Sequence, residues 1–347
     1  MSYIQRAITP ILKQRVSTSK CMLLVGARQV GKSTLIKHEF KDFNRANFDD
    51  RLTRMQAEEE PKLFFLNNPK PLFINEVQKE SSILEDIKQI VDESDERGMF
   101  ILSGSQKLEL MKGMSESLAG RVSISELTGL SMREIYGVKF NRHFIPTDAY
   151  IKEREKEIVK YDNIWEIIHK GSYPELYDID RDWQEYYSSY VATYLERDIN
   201  ELVAADGITF TKFLTAVAAR TGELLNYSNI AGDVGVSEPT IKNWISILER
   251  TGIVYLLQPY SASALKRAIK APKLYFRDTG LACYLTRWLT ADTLKCSAVA
   301  GNMFETFVVS EILKSYTNEG KDYRFNIFYY RGKDRNCLLY TSPSPRD

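Results

Sequence analysis

Eight residues near the N-terminus have the types and the spacing of a loop that binds phosphate groups. The stretch GARQVGKS fits the pattern G-x-x-x-x-G-K-[ST] at every position, with an apolar run before it and a helical stretch after it. The glycines let backbone N–H groups surround a phosphate, and the helix start adds the positive end of its dipole. We expect Lys32 to reach the β and γ phosphates of ATP and Ser33 to ligate Mg²⁺. The predicted contact residues are Gly26, Ala27, Arg28, Gln29, Val30, Gly31, Lys32, Ser33 and Thr34. The alternative is a glycine loop that only turns a strand into a helix.

A second polar group lies in the stretch LFINEVQ, residues 72–78. An apolar strand that ends in two acidic residues is typical of the magnesium and catalytic corner of an ATPase. Here the pair is Asn75 and Glu76. Asn75 keeps an acceptor oxygen but lacks the charge, so we expect it to help hold Mg²⁺ weakly and hydrolysis to be slowed. Glu76 is expected to polarise the attacking water, and a solvated loop carboxylate is the alternative. Asp and Asn codons differ by one base, so a sequence error at position 75 is another explanation.

The stretch FILSGSQ, residues 100–106, supplies the third polar group. Its Ser105 and Gln106 are predicted to lie beside the γ phosphate, although an ordinary turn after a strand would look similar. Arg121 begins the next apolar run and could act as an arginine finger, either in its own chain or in a neighbouring subunit of a self-associated protein. A surface salt bridge is an equal alternative for Arg121.

The elements around these motifs predict an α/β fold. Helical stretches alternate with apolar runs at 21–25, 46–48, 72–75, 99–102 and 121–127. Strands that alternate with helices indicate a parallel sheet covered on both faces. Because an extra strand separates the phosphate loop from LFINEVQ, we predict a P-loop NTPase sheet of order 5-1-4-3-2.

Residues 224–260 have the pattern helix, turn, helix, strand, which predicts a winged helix-turn-helix. Ser228 and Ser237 are the expected helix caps, Gly235 the turn, and Trp244 lies on the predicted buried face. DNA binding is one interpretation and a packing module is the other. The outward positions of the second helix are Glu238, Thr240, Lys242, Asn243 and Glu249. The basic residues near the wing are Lys266, Arg267, Lys270 and Lys273.

The bulk composition gives no global reason to expect binding to nucleic acid or to membranes. The 347 residues carry 47 basic and 46 acidic side chains, a net charge of +1. The four cysteines are scattered, which argues against a zinc site and for a reducing compartment. Apolar runs are too short to span a bilayer, so we predict a cytoplasmic protein without membrane contact.

Taken together, the motifs resemble the archaeal and bacterial AAA-type ATPases that carry a C-terminal domain of unknown function. The matching stretches include GARQVGKSTL, PLFINEVQK, ILSGSQ, ESLAGRV, GSYPEL, TYLERDI and PKLYFRDTGLACYL. The resemblance implies Mg²⁺-dependent ATP hydrolysis that moves a winged-helix and C-terminal module. The competing class is a nucleotide-dependent regulator that does not hydrolyse ATP, with DNA as one candidate target. The family has Asp where this chain has Asn75.

The resemblance also implies a nuclease-like fold that starts near residues 301–313, with Glu305 as its first acidic residue. A helix Glu without catalysis is the alternative. The stretch CLLYTSPSPRD, residues 337–347, can be encoded by a transposase sequencing adapter read in frame. We therefore expect the natural chain to continue beyond Asn336, and 337–347 to leave the strand at 325–330 without a partner.

The predicted organisation has five parts. These are a P-loop ATPase domain (1–140), a helical linker (141–205), a winged-helix domain (206–280), a truncated C-terminal α/β domain (281–336) and the adapter-like tail (337–347).

Overall fold

The computed structural model describes residues 3–104, 118–179, 181–199, 206–260, 270–331 and 337–341. The chain divides into two compact units. The first, called the phosphate-loop unit, comprises residues 5–128 with 317–320. The second unit comprises residues 1–4, 129–316 and 321–347. The main division therefore falls between Thr128 and Gly129.

The phosphate-loop unit is built on a parallel sheet of five strands. Their order is β2-β3-β4-β1-β5, which is the predicted 5-1-4-3-2 read from the opposite edge. The α/β prediction is thus confirmed. The strands are β1 (Cys21–Val25), β2 (Asn44–Asn47), β3 (Leu72–Asn75), β4 (Phe100–Gly104) and β5 (Val122–Glu126).

The helices of this unit cover the sheet. They are α1 (Thr9–Thr18), α2 (Lys32–Glu39), α3 (Arg51–Glu59), α4 (Pro61–Asn67) and α5 (Ile83–Asp92), with a 3-10 turn at Val77–Glu80. Strand β1 is buried at every position, because a central parallel strand is covered on both faces. Helix α5 buries Ile83, Leu84, Ile87 and Val91 against the same core.

The strand register brings the polar strand ends to one edge of the sheet. Val25 lies beside Gly104, and Asn47 lies beside Asn75. Since all strands are parallel, the carboxyl ends of β1, β2, β3 and β4 meet at this edge. The phosphate loop follows β1 there, so the sheet positions every sequence motif that ends a strand.

The second unit is mainly helical. Its helices are Met132–Ile135, Asp148–Glu155, Ile164–Lys170, Glu175–Asp178, Trp183–Tyr190, Gly207–Ala218, Tyr227–Val234, Glu238–Arg250, Thr279–Leu285, Ala291–Lys295 and Ala300–Asn318. A π-helix spans Val191–Ile199 and a 3-10 turn spans Tyr323–Phe325. No helix in the described part of the chain is both long enough and apolar enough to cross a bilayer.

The stretch with the helix-turn-helix pattern folds as helices packed beside a small antiparallel sheet. Strands β6 (Glu223–Leu224), β7 (Val254–Leu257) and β8 (Lys273–Phe276) have the order β6-β8-β7. Ser237 caps the helix Glu238–Arg250, and Gly235 makes the turn with φ 87°. The cap of the helix before it is Asn226, not the predicted Ser228, because that helix begins at Tyr227, two residues earlier than a cap at Ser228 implies.

A buried carboxylate joins two stretches that are distant in sequence. Asp278 begins the helix Thr279–Leu285 and accepts hydrogen bonds from Ser172 N, Ser172 Oγ, Tyr187 Oη and Leu281 N at 2.6–2.8 Å. A Cβ at Gly171 would lie 2.2 Å from Tyr187 Oη. The stretches GSYPEL and PKLYFRDTGL are therefore packed together by the hydrogen bonds of Asp278 and contribute to the structure of the second unit.

The C-terminal strands correct one expectation from the sequence. Strand β9 (Ile327–Arg331) pairs antiparallel with β10 (Cys337–Thr341), with Leu339 opposite Tyr329. The prediction that residues 337–347 leave the preceding strand unpaired is thus wrong for 337–341. Five residues of extended backbone form a ladder with a neighbouring strand whatever their origin, because main-chain groups carry the pairing.

Candidate nucleotide site

The phosphate loop lies between β1 and α2 in a shape that depends on close packing. A Cβ at Gly26 would lie 2.2 Å from the carbonyl oxygen of Leu127, so the loop leaves the sheet where only glycine fits. Gly31 adopts φ 93° immediately before α2. Gln29 also has a positive φ, 64°, which is strained for a residue with a side chain. The glycines adopt these conformations without strain, whereas Gln29 is held in one that its side chain disfavours.

Lys32 lies inside the loop. Its Nζ donates to the carbonyl oxygens of Gly26 and Ala27, both at 2.9 Å. Burial lowers the pKa of Lys32 to about 8; the charge of Glu76 opposes this effect and that of Arg28 adds to it. A phosphate anion beside Lys32 would restore the preference for the charged form.

Asn75 is the centre of a polar cluster at the carboxyl edge of the sheet. Its Oδ1 accepts from Ser33 Oγ at 2.7 Å and from Ser103 Oγ at 2.8 Å. Its Nδ2 donates to Oδ1 of Asn47 at 2.9 Å. Three strands and the phosphate loop are therefore joined through one amide side chain. The amide oxygen accepts the same two hydroxyl hydrogen bonds that a carboxylate oxygen would accept at this position.

Glu76 follows β3 in a left-handed backbone conformation, φ 55°. A residue with a side chain is rarely found there, and such strain is concentrated at functional sites. The carboxylate accepts a hydrogen bond from Nε2 of Gln78 at 2.5 Å. Glu76 is half-buried and close enough to Lys32 for its charge to act on that ammonium.

The structure does not bring Arg121 to the phosphate loop of its own chain. Arg121 precedes β5, and Cys21 lies beside Val122, so Arg121 is at the amino edge of the sheet. A five-residue strand separates the two edges by about 15 Å. Its guanidinium forms a bidentate pair with Asp92, at 2.5 and 3.0 Å. The surface salt bridge is therefore its role within one chain, and a role in a neighbouring subunit stays a prediction.

The remaining predicted loop residues differ in exposure. Ala27 and Val30 are buried, Arg28 and Gly31 are partly buried, and Gln29 and Thr34 are exposed. Ser105 and Gln106 lie outside the described residues.

The residues of this edge fit a magnesium ion that arrives with a nucleotide. Among the described residues, no group of three or more His, Cys, Asp or Glu side chains could hold a metal ion alone. Mg²⁺ usually binds phosphate oxygens and water together with few protein ligands. Ser33 Oγ, already oriented by Asn75, is the hydroxyl that would serve as such a ligand.

Asn47, Ser103 and Arg6 also contact this site, although the sequence pointed to Ser103 only as part of the polar strand end FILSGSQ and to neither of the other two. Asn47 and Ser103 contact Asn75 from the neighbouring strands. Arg6 is buried and donates to Val30 O at 2.8 Å and to Thr128 O at 2.7 Å. The rule that polar residues at the carboxyl ends of parallel strands converge could have found the first two. No motif marks Arg6.

Candidate residues in the second unit are engaged in ion pairs. Glu305 accepts from Lys273 Nζ and Tyr275 Oη, both at 2.5 Å. On the outward face of the helix Glu238–Arg250, Lys242 pairs with Glu238 at 2.7 Å. Lys266 and Arg267 lie outside the described residues, while Lys270 is exposed. These pairs reduce the positive charge that the described part of this surface offers to an anion.

Two family models match separate parts of the chain, one mainly within the phosphate-loop unit and the other within the second unit. Residues 18–136 match the family model described as an AAA domain, and residues 161–292 match a domain of unknown function, DUF8612. The AAA match includes the phosphate loop, Asn75 and Glu76. It supports an AAA-type P-loop ATPase domain in this region.

Two curated relatives and two solved structures were compared with the whole chain. The relatives, from Mycobacterium bovis and Mycobacterium tuberculosis, are described only as uncharacterized proteins. Each is 27% identical over 311 residues, which cover 87% of this chain and 64% of the relative. The chain thus spans less than two thirds of their length.

The two structures are a point variant of Thermotoga maritima RuvB and the Aeropyrum pernix ORC2 protein in its ADP form. RuvB is 16% identical with a TM-score of 0.32, over 72% of this chain and 85% of that one. ORC2 is 12% identical with a TM-score of 0.28, over 87% of this chain and 93% of that one.

Proposed function

We propose that the AAA-type domain of this protein binds ATP with Mg²⁺ and hydrolyses it, and that hydrolysis moves the winged-helix and C-terminal parts of the second unit. The observation that carries the proposal is the polar cluster at one sheet edge. There the complete phosphate loop, the Ser33 hydroxyl and Asn75 are joined by hydrogen bonds. A glycine loop that only turned the chain would not need this arrangement.

Each residue has a defined part in the proposed reaction. The loop N–H groups and Lys32 bind the β and γ phosphates, for which Lys32 exchanges its two carbonyl contacts for phosphate oxygens. Ser33 and Asn75 position the magnesium ligands. Glu76 orients and polarises the attacking water, and Gln78 holds its carboxylate by a hydrogen bond to one oxygen. The bound Mg²⁺ neutralises charge on the phosphates. Ser105 and Gln106 are proposed to sense the γ phosphate.

Asn75 favours a second candidate, a nucleotide-dependent regulator that does not hydrolyse ATP. A neutral amide binds the ligands of a cation less strongly than a carboxylate, because charge-assisted bonds are roughly twice as strong. In this alternative ATP only orders the chain. Steady-state release of phosphate separates the two candidates, since both require ATP binding and only the first requires turnover.

DNA binding is an extension of either candidate. The order helix, strand, helix, helix, strand, strand in residues 207–276 supports a winged helix. The pairing of Lys242 with Glu238 and of Lys273 with Glu305 argues against strong phosphate contact. Binding of a short labelled duplex, measured by fluorescence polarisation at two salt concentrations, tests this extension.

The decisive experiment on nucleotide binding is titration calorimetry with ATP and Mg²⁺. We expect binding by the wild type and a loss or great weakening of binding by Lys32→Ala, because the buried ammonium is the phosphate ligand. Lys37→Ala is the matched control, since Lys37 is exposed on the same helix. Equal affinity in the wild type and Lys32→Ala would refute the proposal.

A further inference from the structure

The N-terminal segment before α1 places a buried arginine against the back of the phosphate loop. Arg6 is 3% exposed. One terminal nitrogen, Nη1, donates to the carbonyl oxygen of Val30 inside the loop, and the other, Nη2, donates to that of Thr128. The two carbonyls are therefore held at a fixed separation by one planar, permanently charged group.

The Val30 carbonyl belongs to the same peptide unit as the Gly31 N–H. A trans peptide is planar, and its C=O and N–H point in opposite directions. When Arg6 holds the carbonyl on one side of the loop, the Gly31 N–H must point to the other side. A hydrogen bond to the carbonyl also polarises the unit, which strengthens its N–H as a donor.

The loop needs such an external support. Gln29 and Gly31, which flank Val30, both have a positive φ, and the Gln29 conformation is strained. Lys32 supports the loop from inside by holding the carbonyls of Gly26 and Ala27. If Lys32 binds a phosphate, it loses its hydrogen bonds to those carbonyls. The hydrogen bond from Arg6 to Val30 is expected to persist, because Arg6 does not contact the phosphate in the proposed complex.

The second acceptor of Arg6, Thr128, directly follows a residue that is hydrogen-bonded to the sheet. Leu127 N donates to Val25 O at 2.8 Å, which extends the pairing of β5 with β1 beyond the strand ends. The next residue, Thr128, accepts the second bond from Arg6. Arg6 thus joins the middle of the phosphate loop to the end of strand β5.

We propose that Arg6 is a positioning residue of the nucleotide site, which aims the Gly31 N–H at a bound phosphate while Lys32 exchanges its contacts. This inference rests on the proposed function. It assigns a role in phosphate binding to a residue outside the loop motif, in addition to its contribution to stability.

Arg15 supplies the matched control. It is a second arginine that reaches β5, in this case from helix α1, and its Nη1 donates to Ile124 O at 2.5 Å and to Ser125 Oγ at 2.7 Å. Neither acceptor belongs to the phosphate loop. A purely structural role would therefore give Arg6 and Arg15 variants the same phenotype.

The test compares ATP and ADP affinity of wild type, Arg6→Met, Arg6→Lys and Arg15→Met. It uses calorimetry at a temperature where circular dichroism shows each variant to be folded. We expect Arg6→Met to weaken both affinities about 10- to 100-fold, as for loss of a hydrogen bond from a charged donor. Arg6→Lys should weaken both affinities less than Arg6→Met does, because an ammonium can still donate to one of the two carbonyls. It should not restore the wild-type affinity, since it lacks the fork that spans both. Arg15→Met should retain the wild-type affinity. The Gly31 amide resonance should shift in the Arg6 variants alone.

Three outcomes would overturn the role of Arg6. They are affinity within twofold of wild type in Arg6→Met, equal losses in the Arg6 and Arg15 variants, and an unchanged Gly31 resonance. If Arg6→Met does not fold, Arg6→Lys decides by the same criteria. Failure of the wild type to bind ATP would overturn the proposed function as well, which distinguishes that failure from one confined to Arg6.

Discussion

The substitution Asn75→Asp addresses the chemistry of the site most directly. It adds one negative charge at the centre of the polar cluster, and the side chain keeps the same number of non-hydrogen atoms. The Oδ1 position already accepts two hydroxyl donors, from Ser33 and Ser103, at 2.7 and 2.8 Å. Aspartate would accept the same two donors without movement of the backbone. The third contact differs, because a carboxylate cannot donate to Asn47 as the amide does.

The size of the effect follows from these contacts. A neutral hydrogen bond contributes about 1 kcal/mol and one to a charged group about 1.5–3 kcal/mol, so two bonds gain roughly 1–4 kcal/mol. The Asn47 amide must rotate by 180° to donate to the new carboxylate. The rotation gives up its long bond from Asp49 N, 3.3 Å, at a cost of about 1 kcal/mol. The remainder is roughly 0–3 kcal/mol, with a midpoint of about 1.5 kcal/mol. If it acts in the transition state, the rate should rise about tenfold at that midpoint, since 1.36 kcal/mol corresponds to a factor of ten.

The assay is steady-state release of phosphate with Mg²⁺, repeated with a chelator. We expect slow turnover by the wild type, faster turnover by Asn75→Asp, and no difference between them when Mg²⁺ is removed. Nucleotide affinity without metal should remain similar. Asn75→Ala is the first control and should lower turnover, because the two hydroxyls lose their acceptor. The double variant Asn75→Asp/Asn47→Asp is the second control. It should turn over more slowly than Asn75→Asp, since two carboxylates would face each other.

Turnover that is unchanged or lower in Asn75→Asp would refute this reasoning. The site would then be adapted to an amide, and the regulator that does not hydrolyse ATP would be favoured. An increase of the same size in the presence of chelator would also contradict it, because the added charge is expected to act on the magnesium ligands.

The remaining predictions concern pH, packing and charge. Burial places the pKa of Lys32 at about 8, below 10.5, so ATP affinity measured by calorimetry should fall by up to tenfold per pH unit above pH 8. Between pH 8 and 10.5 the Lys32 side chain is protonated in the unfolded chain and mostly neutral in the folded one. Because the unfolded state binds more protons, Lys32 should make the free energy of unfolding rise with pH in that range. Gly26→Ala should lower the free energy of unfolding by about 1–3 kcal/mol in urea titrations and weaken ATP binding, because its Cβ meets Leu127 O. A mutant with wild-type affinity would contradict that packing. Arg121→Ala should leave stability and turnover nearly unchanged, and a large loss of turnover would instead indicate action in a neighbouring subunit. Asp278→Ala should lower the free energy of unfolding by about 3 kcal/mol or more, since buried donors lose their acceptor; a thermal melt close to wild type would refute this.

Much of the phosphate-loop unit could be predicted from local signals. The runs of apolar residues predicted all five strands to within two residues at each end, and the spacing of the motifs predicted the strand order. Such signals are strong because a buried parallel strand must be apolar on both faces. The sequence left the role of Arg121 open between an arginine finger and a surface salt bridge. Arg121 begins a strand, and the start of a parallel strand lies at the amino edge of the sheet, away from the phosphate loop of the same chain. Only the structure supplied its partner there, Asp92.

The sequence by itself determined the chemical identity of the phosphate loop, because glycine, lysine and serine at fixed spacing have one local geometry with one set of donors. It also determined that position 75 carries an amide. Only the tertiary structure decided what that amide contacts, since Ser33, Asn47 and Ser103 come from three separate segments that the sheet brings together. The tertiary structure likewise decided that Arg6 supports the loop. A hydrogen bond to a backbone carbonyl depends on position and not on the residue type that carries the carbonyl, so it leaves no pattern in the sequence.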